Sequence, residues 1–309
     1  MPVFGGIEAG GTKFLCGTGT CPDDLTVVAF PTELPDVTIK KAVQFFRGQI
    51  ERTLSGIGVG SFGPIDRDPA SATYGRITST PKPEWKNFDF VGALTRTLHL
   101  PVTFDTDVNA AALAEGRWGA ARDVQNFIYV TVGTGIGGGL VVNGSLVHGL
   151  MHPEMGHIRL PHDFQQDPFL GDCPFHKDCL EGLASGAAMK NRWGRPAKDL
   201  PPEHPAWTLE AAYLALALHT WVCTLSPQRI IMGGGVMQNP SLFLMIRERL
   251  KALLNGYIPL REVTEQIDEY IVPPHLGGRS GVLGAMLLDV SGDLIGVVLR
   301  LLCHSGVQK

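Results

Sequence analysis

Residues 127–142 read FIYVTVGTGIGGGLVV, and the fold can be argued outward from them. The first six are apolar or β-branched, a run suited to a buried strand. Gly133-Thr134-Gly135 interrupts it, and residues 136–142 resume it. Strand, glycine turn, strand is a β-hairpin, not the strand-to-helix step of a P-loop. The chain opens on the same pattern. Residues 3–7 (VFGGI) are a strand, Glu8-Ala-Gly-Gly-Thr12 a turn and residues 13–18 a second strand. A repeated hairpin predicts two related halves of one fold.

The intervening pieces alternate between periodicities. Ile39, Val43, Phe46, Ile50 and Leu54 stand at helical spacing and predict an amphipathic helix over 37–54. Residues 57–65 (IGVGSFGPI) read as a parallel strand running into a loop at Gly63-Pro64, and 66–90 as a loop with short pieces of strand. Residues 102–109 (VTFDTDVN) are a strand with a polar end, followed by an alanine-rich helix over 110–118. Helices are expected at 182–191, 209–225 and 240–254. Strands are expected at 229–233, broken by Gly233-Gly234-Gly235, and at 270–274, before a small-residue loop and helix at 277–288. Alternating strands and helices imply an α/β architecture with ligands at the carboxyl ends of the strands.

A length of 309 residues allows two domains with proper cores, and 44% hydrophobic with 18% charged residues is ordinary for a globular chain. A net charge of −4 gives no reason to expect nucleic acid. Six cysteines without a disulfide pattern suit a reduced, cytoplasmic setting. MPVFGGIEAGG lacks the basic start of a signal peptide, so none is expected. The apolar tail 294–303 is short and interrupted by Arg300, so no membrane span is expected either.

The densest chemistry lies in HPEMGHIRLPHDFQQDPFLGDCPFHKDCLEG, residues 152–182. His157, Cys173, His176 and Cys179 make a fitting set for tetrahedral Zn²⁺, which takes thiolates and imidazoles without redox chemistry. Four protein ligands leave no open position, so the zinc is expected to be structural. Glu154 and Glu181 flank the ligands, and the expected role of the metal is to hold these carboxylates and His157 towards a small polar substrate. His152 and His162 fall outside the pattern and read as ordinary loop residues. Elsewhere, three glycine turns (8–13, 131–139 and 233–236) let backbone N–H groups converge on an anion, with Thr12 and Thr134 as hydroxyl donors. Each could also be a plain hairpin turn.

The order GGTK, DVNAAALAE, TVGTGIGGG, E-x-G-H, a Cys-rich loop ending CLEG, then GGGV resembles the ROK family of sugar kinases. That family belongs to the actin-like ATPase superfamily, with a ribonuclease H-like fold. CPFHKDCLEG and TPKPEW (residues 79–85 include this phrase) resemble its fructokinase branch. The resemblance implies two α/β domains, 1–115 and 116–309, with an active site in the interdomain cleft. The last helix is a candidate to pack back on the first domain. It implies that Gly10, Gly11, Thr12 and Lys13, with Gly133, Thr134 and Gly135, hold ATP phosphates, and that Gly233, Gly234 and Gly235 lie against adenosine. Glu8 would position Mg²⁺ through water, and Lys13 would reach phosphate or face solvent.

The resemblance assigns the general base to Asp107. From the residues alone Asp105 is the alternative, and a helix N-cap is the structural one. Glu154, His157 and Glu181 would hold the sugar, with Gly63, Pro64 and Thr106, the last standing where relatives often carry Asn. Relatives often have three closely spaced cysteines, and here His176 replaces one. The expected activity is ATP-dependent phosphorylation of D-fructose at O6, with mannose, glucose or an N-acetylhexosamine as the alternatives. A homodimer is also implied. The family includes sugar-responsive repressors, but the first glycine loop begins at Gly5, so no DNA-binding segment is expected ahead of it.

Overall fold

The computed structural model describes residues 3–49 and 54–288. The described residues fall into two compact units, 3–114 with 279–288, and Glu115–Gly278.

In the first unit β1 (Val3–Ala9), β2 (Lys13–Gly19) and β3 (Thr26–Pro31) form an antiparallel meander. Helix α1 (Pro35–Arg47) leads to β4 (Leu54–Ser61), a small hairpin of β5 (Ile65–Asp66) and β6 (Arg76–Ile77), α2 (Phe90–Leu98), β7 (Val102–Thr106) and α3 (Asp107–Trp118), whose residues from Glu115 belong to the second unit. β4 runs parallel to both β1 and β7, giving the order β3-β2-β1-β4-β7.

The second unit repeats this order. β8 (Phe127–Val132), β9 (Ile136–Val142) and β10 (Ser145–Leu146) form the meander. After α4 (Leu180–Ala184), α5 (Gly186–Trp193) and α6 (Ala206–Leu225) comes β11 (Arg229–Gly233), parallel to β8. Then follow α7 (Pro240–Leu254), α8 (Arg261–Thr264), α9 (Ile267–Tyr270) and β12 (Ile271–Val272), for the order β10-β9-β8-β11-β12. The chain closes its described part with α10 (Ser280–Leu287).

Several expected boundaries are corrected. The helix expected over 37–54 ends at Arg47 with Gly48 as its cap, and Leu54 is instead the buried first residue of β4. Ile50 lies outside the described residues, as does the tail from Ser291 with Cys303. The segment before β7 holds α2, capped by Asp89, whose side chain accepts from the Gly92 N–H. The strand expected over 102–109 stops at Thr106, and its helix starts at Asp107 rather than Ala110. The helix expected over 182–191 is two short helices, because Ser185 breaks the first and caps the second through the Ala188 N–H.

The strands of the first sheet show period-two logic. Ile7, Ile57 and Val59 are fully buried in an apolar core with α1 and α2 residues. Trp85 is 1% exposed there, with its ring among Phe14, Phe62, Phe88 and Phe90. On alternate positions Gly6 and Gly58 receive α10 at backbone distance. A Cβ on Gly58 would overlap the Ala285 carbonyl oxygen. In the second unit α6 is long and apolar enough to cross a membrane by length and composition. Its Trp207, Leu214, Leu218 and Trp221 nevertheless belong to the buried core with Ile128, Ile230 and Leu242.

The close approach at Gly58 makes a prediction. Gly58→Ala must move α10 away from β4 and should destabilise the protein by at least ~1–3 kcal/mol. Urea unfolding checks this, and wild-type stability in the variant would show that α10 does not pack so closely.

Candidate active site

In the first unit the parallel register brings the carboxyl ends of three strands to one edge, pairing Glu8 with Gly60 and Gly60 with Asp105, then Ala9 with Ser61 and Ser61 with Thr106. Asp105 is buried. Its Oδ1 accepts from the Thr106 N–H at 2.7 Å and from Asn109 Nδ2 at 2.8 Å, and its Oδ2 lies 3.5 Å from Arg67 Nε. Thr106 Oγ1 accepts from the Asn109 N–H at 3.1 Å and is therefore the cap of α3. Capping thus falls to Thr106 and not to Asp107. Asp107, the first residue of the helix, is only partly buried, and its Oδ1 receives the Val108 N–H at 2.9 Å. The Gly63-Pro64 loop is tied down where Pro64 O accepts from the Thr78 N–H at 2.7 Å and its hydroxyl at 3.0 Å.

The first glycine turn joins β1 to β2. Gly10 N–H donates to Lys13 O at 3.0 Å, and Thr32 clamps the turn through Gly10 O at 2.7 Å and Thr12 O at 2.9 Å. Thr12 and Lys13 are exposed. Below them Glu8 packs against Gly281 at the start of α10, and its Oε2 is shut off from solvent with no hydrogen-bond partner. Burial, and then the charge of Asp107, push the Glu8 carboxyl from 4.5 up to about 7, while Lys13 and the Val282 N–H oppose the rise. A buried carboxylate oxygen without a partner, close to a second carboxylate, fits a hard divalent cation such as Mg²⁺.

In the second unit the other two glycine turns meet. Gly133 N–H donates to Gly135 O at 2.9 Å, and the first N–H groups of α5, Gly186 and Ala187, donate to Gly133 O at 2.7 Å and Thr134 O at 3.3 Å. Gly233 ends β11, and Gly234 has φ +98°, where a side chain would strike Val132 O. Gly235 is exposed beyond it.

The expected zinc ligands converge. The ligand atoms of His157, Cys173, His176 and Cys179 all lie within 4.8 Å of one another. His157 Nδ1 is 3.5 Å from Cys179 Sγ and 3.8 Å from Cys173 Sγ, and His176 Nδ1 is 3.6 Å from Cys173 Sγ. Zinc bonds of ~2.0 Å to nitrogen and ~2.3 Å to sulfur imply tetrahedral edges of about 3.3–3.8 Å, so these spacings fit the ion. The knuckle turns at Lys177, whose N–H donates to Cys173 O at 2.9 Å, and it docks on α4 because Gly182 leaves room for Lys177 O. Burial, foremost, pushes the Cys179 thiol up to about 12, so a cation is needed there to favour the thiolate.

With Nδ1 turned to the thiols, His157 presents Nε2 to two carboxylates, 3.9 Å from Glu154 Oε2 and 3.9 Å from Glu181 Oε1. Glu181 is held by the second glycine hairpin, its Oε2 accepting from the Ile136 N–H at 2.9 Å. Burial raises its carboxyl above the ordinary value, against that hydrogen bond and the His157 charge. Glu154 is held by His152, whose Nε2 lies 2.8 Å from its Oε1. His152 is 4% exposed, so its reading as an ordinary loop residue is corrected: it fixes Glu154. His162 is a loop residue as expected, but not an ordinary one. Its side chain is buried between Asp167 and Asp178, and Asp167 in turn binds Arg192 at 3.0 Å and Tyr213 at 2.6 Å. The only sequence signal for His152 was its position two residues before Glu154.

These features can be set beside known proteins. The profile described as the ROK family matches residues 4–290. The chain belongs to the ROK family. It is 42% identical over 287 residues to the fructokinase of Pediococcus pentosaceus, spanning 93% of this chain and 97% of that one. The fructokinase of Streptococcus mutans serotype c is likewise 42% identical over 294 residues, spanning 93% and 97%. Among solved structures, the ROK hexokinase from Thermus thermophilus superposes with a TM-score of 0.71 at 26% identity, over 98% of this chain and 100% of that one. The fold is that of the actin-like ATPases, with the repeated five-strand order as its mark.

The raised Glu8 carboxyl has a measurable consequence. Its folded pKa exceeds the unfolded value, so its contribution to stability is complete below about pH 4.5 and lost as pH rises through about 7. Without divalent cations, Glu8→Gln should therefore gain stability relative to wild type between pH 5 and 7.5. Urea unfolding across that range tests it, and a difference that does not change with pH would contradict the assignment.

Proposed function

We propose that this hexose kinase transfers the γ-phosphoryl group of ATP to O6 of D-fructose, with Asp107 as general base. The observation that carries the choice of fructose is the 42% identity to two fructokinases over nearly the full length of each. Phosphoryl transfer asks little covalent chemistry of a protein. It needs an acceptor hydroxyl held in line, a base for its proton and positive charge near the phosphates.

The first unit supplies the base and the first phosphate turn. Asp107 is only partly buried at the carboxyl edge of its sheet, whereas Asp105 is buried, with its oxygens against Thr106, Asn109 and Arg67. That difference favours Asp107 as the carboxylate able to take a proton from substrate. Glu8, with its unpartnered oxygen, is the residue that would hold Mg²⁺, directly or through water. The ion supplies neutralisation of phosphate charge when bound. Gly10 to Lys13 would receive the phosphates here.

The second unit supplies the sugar clamp. Glu154 and Glu181 offer acceptor oxygens to neighbouring hydroxyls, and His157 Nε2 lies between them. His157, Cys173, His176 and Cys179 would hold a structural Zn²⁺, which orients the His157 ring through Nδ1 and leaves Nε2 for the sugar side. Gly133 to Gly135 would face phosphate, and Gly233 to Gly235 adenosine.

Two experiments follow. Asp107→Asn should lower kcat about 10²–10⁴-fold while fructose binding stays within a few-fold. A coupled ADP-release assay over fructose, mannose, glucose and N-acetylated hexoses, with calorimetry of fructose binding, measures both. Near-normal turnover in the variant would remove Asp107 as base, and a preference for another hexose would replace fructose. Zinc analysis should find about one ion per chain. Its removal by chelator, or Cys179→Ser, should lower the melting temperature and raise KM for the sugar more than for ATP. A metal-free protein of full activity would discard the structural zinc.

A further inference from the structure

The segment Thr80-Pro-Lys-Pro-Glu-Trp85 has no part in the chemistry above, yet it reaches the first phosphate turn. Cε of Lys82 lies 3.4 Å from where a Cβ on Gly11 would stand, so the lysine stem crosses the turn where glycine leaves it bare. Both residues belong to the first unit. The backbone at Lys82 is held on both sides. Its N–H donates to Thr80 Oγ1 at 3.3 Å, and its carbonyl accepts from the Trp85 N–H at 3.0 Å. Trp85 is anchored in the aromatic core, with Nε1 donating to Glu33 O at 3.0 Å. Prolines on either side of Lys82 restrict the chain further.

The Lys82 ammonium makes no hydrogen bond or ion pair with any described residue. Some cations in this unit do find carboxylates, as Lys41 does with Glu33 and Arg96 with Asp89. Beside the turn Glu8 and Asp107 lie close enough for one charge to act on the other, and Lys13 is the other cation whose charge reaches Glu8. A phosphate chain entering there meets two carboxylates and needs positive charge to offset them. An ammonium is a compact charge with three donors and suits a terminal phosphate oxygen.

We propose that Lys82 is a catalytic residue whose ammonium binds the phosphoryl group in transit above the Gly10–Thr12 turn. The inference rests on the kinase function proposed above. In the step it serves, the bond from sugar O6 to the γ-phosphorus forms as the bond to the β,γ-bridging oxygen breaks. The electron pair leaves on ADP, the hydroxyl proton goes to Asp107, and Lys82 keeps its protons throughout.

The test compares wild type, Lys82→Met and Lys82→Arg, with Lys82→Gln replacing the methionine variant should that fail to fold. Steady-state kinetics with ATP and D-fructose are paired with calorimetry of AMPPNP and of ADP, each with Mg²⁺ and without sugar. Lys82→Met should lower kcat/KM for ATP by about 100-fold, leave KM for fructose within about threefold, and weaken AMPPNP more than ADP. Lys82→Arg should recover about a tenth of wild-type activity or more, with melting temperatures unchanged. A fall of less than about tenfold, equal weakening of AMPPNP and ADP, or a loss confined to fructose KM would overturn the role. Wild type inert towards every hexose would instead refute the kinase function, and the calorimetry would still decide whether Lys82 meets the terminal phosphate.

Discussion

In the first unit α10 lies on β4 so closely that the Ala285 carbonyl occupies the space of a side chain on Gly58, and Gly284 meets Ala110 in the same way. In the second unit Gly156 admits Ile136 O, and Gly182 admits Lys177 O. Direct backbone contact of this kind is possible only where the side chain is a hydrogen. It matters because each contact sits under a functional group. Gly58 lies one strand from Glu8, Gly156 sets the turn that carries His157, and Gly182 seats the knuckle that carries Cys173 and Cys179. Interiors packed at this distance transmit displacement rather than absorbing it.

The proposed sugar clamp depends on the two nitrogens of one imidazole facing different ways. Nδ1 of His157 turns to sulfur and Nε2 to carboxylate, so one ring joins the Cys/His cluster to the pair of glutamates. Its carboxylate neighbours are each fixed from behind, Glu154 by His152 and Glu181 by the Ile136 N–H. The second hairpin therefore has two tasks, offering a glycine turn on one side and orienting Glu181 on the other. That coupling holds Glu181 in a partly buried place with its Oε1 towards His157.

Periodicity and glycine spacing were enough to foresee both hairpins, the strands β4 and β11, and α7 to the residue, because each is written in local pattern. Helix ends were less legible. The apolar spacing of Ile39 to Phe46 continues by accident into Leu54, where the chain has already become a strand. The start of α3 was hidden because Thr106, not an aspartate, supplies the cap. His152 and His162 could not be read as buried, since carboxylates close in sequence do not show which way a loop histidine turns or what covers it.

The sequence alone determined the α/β class, the repeated hairpin and the four expected zinc ligands, because these rest on residue type and on spacing along the chain. Only the tertiary structure decided which aspartate is spent inside the protein, which histidine steadies Glu154, and that Lys82 reaches across Gly11. Those outcomes depend on residues that are distant in sequence or on which way a side chain turns. Burial and distance, not pattern, choose between the alternatives.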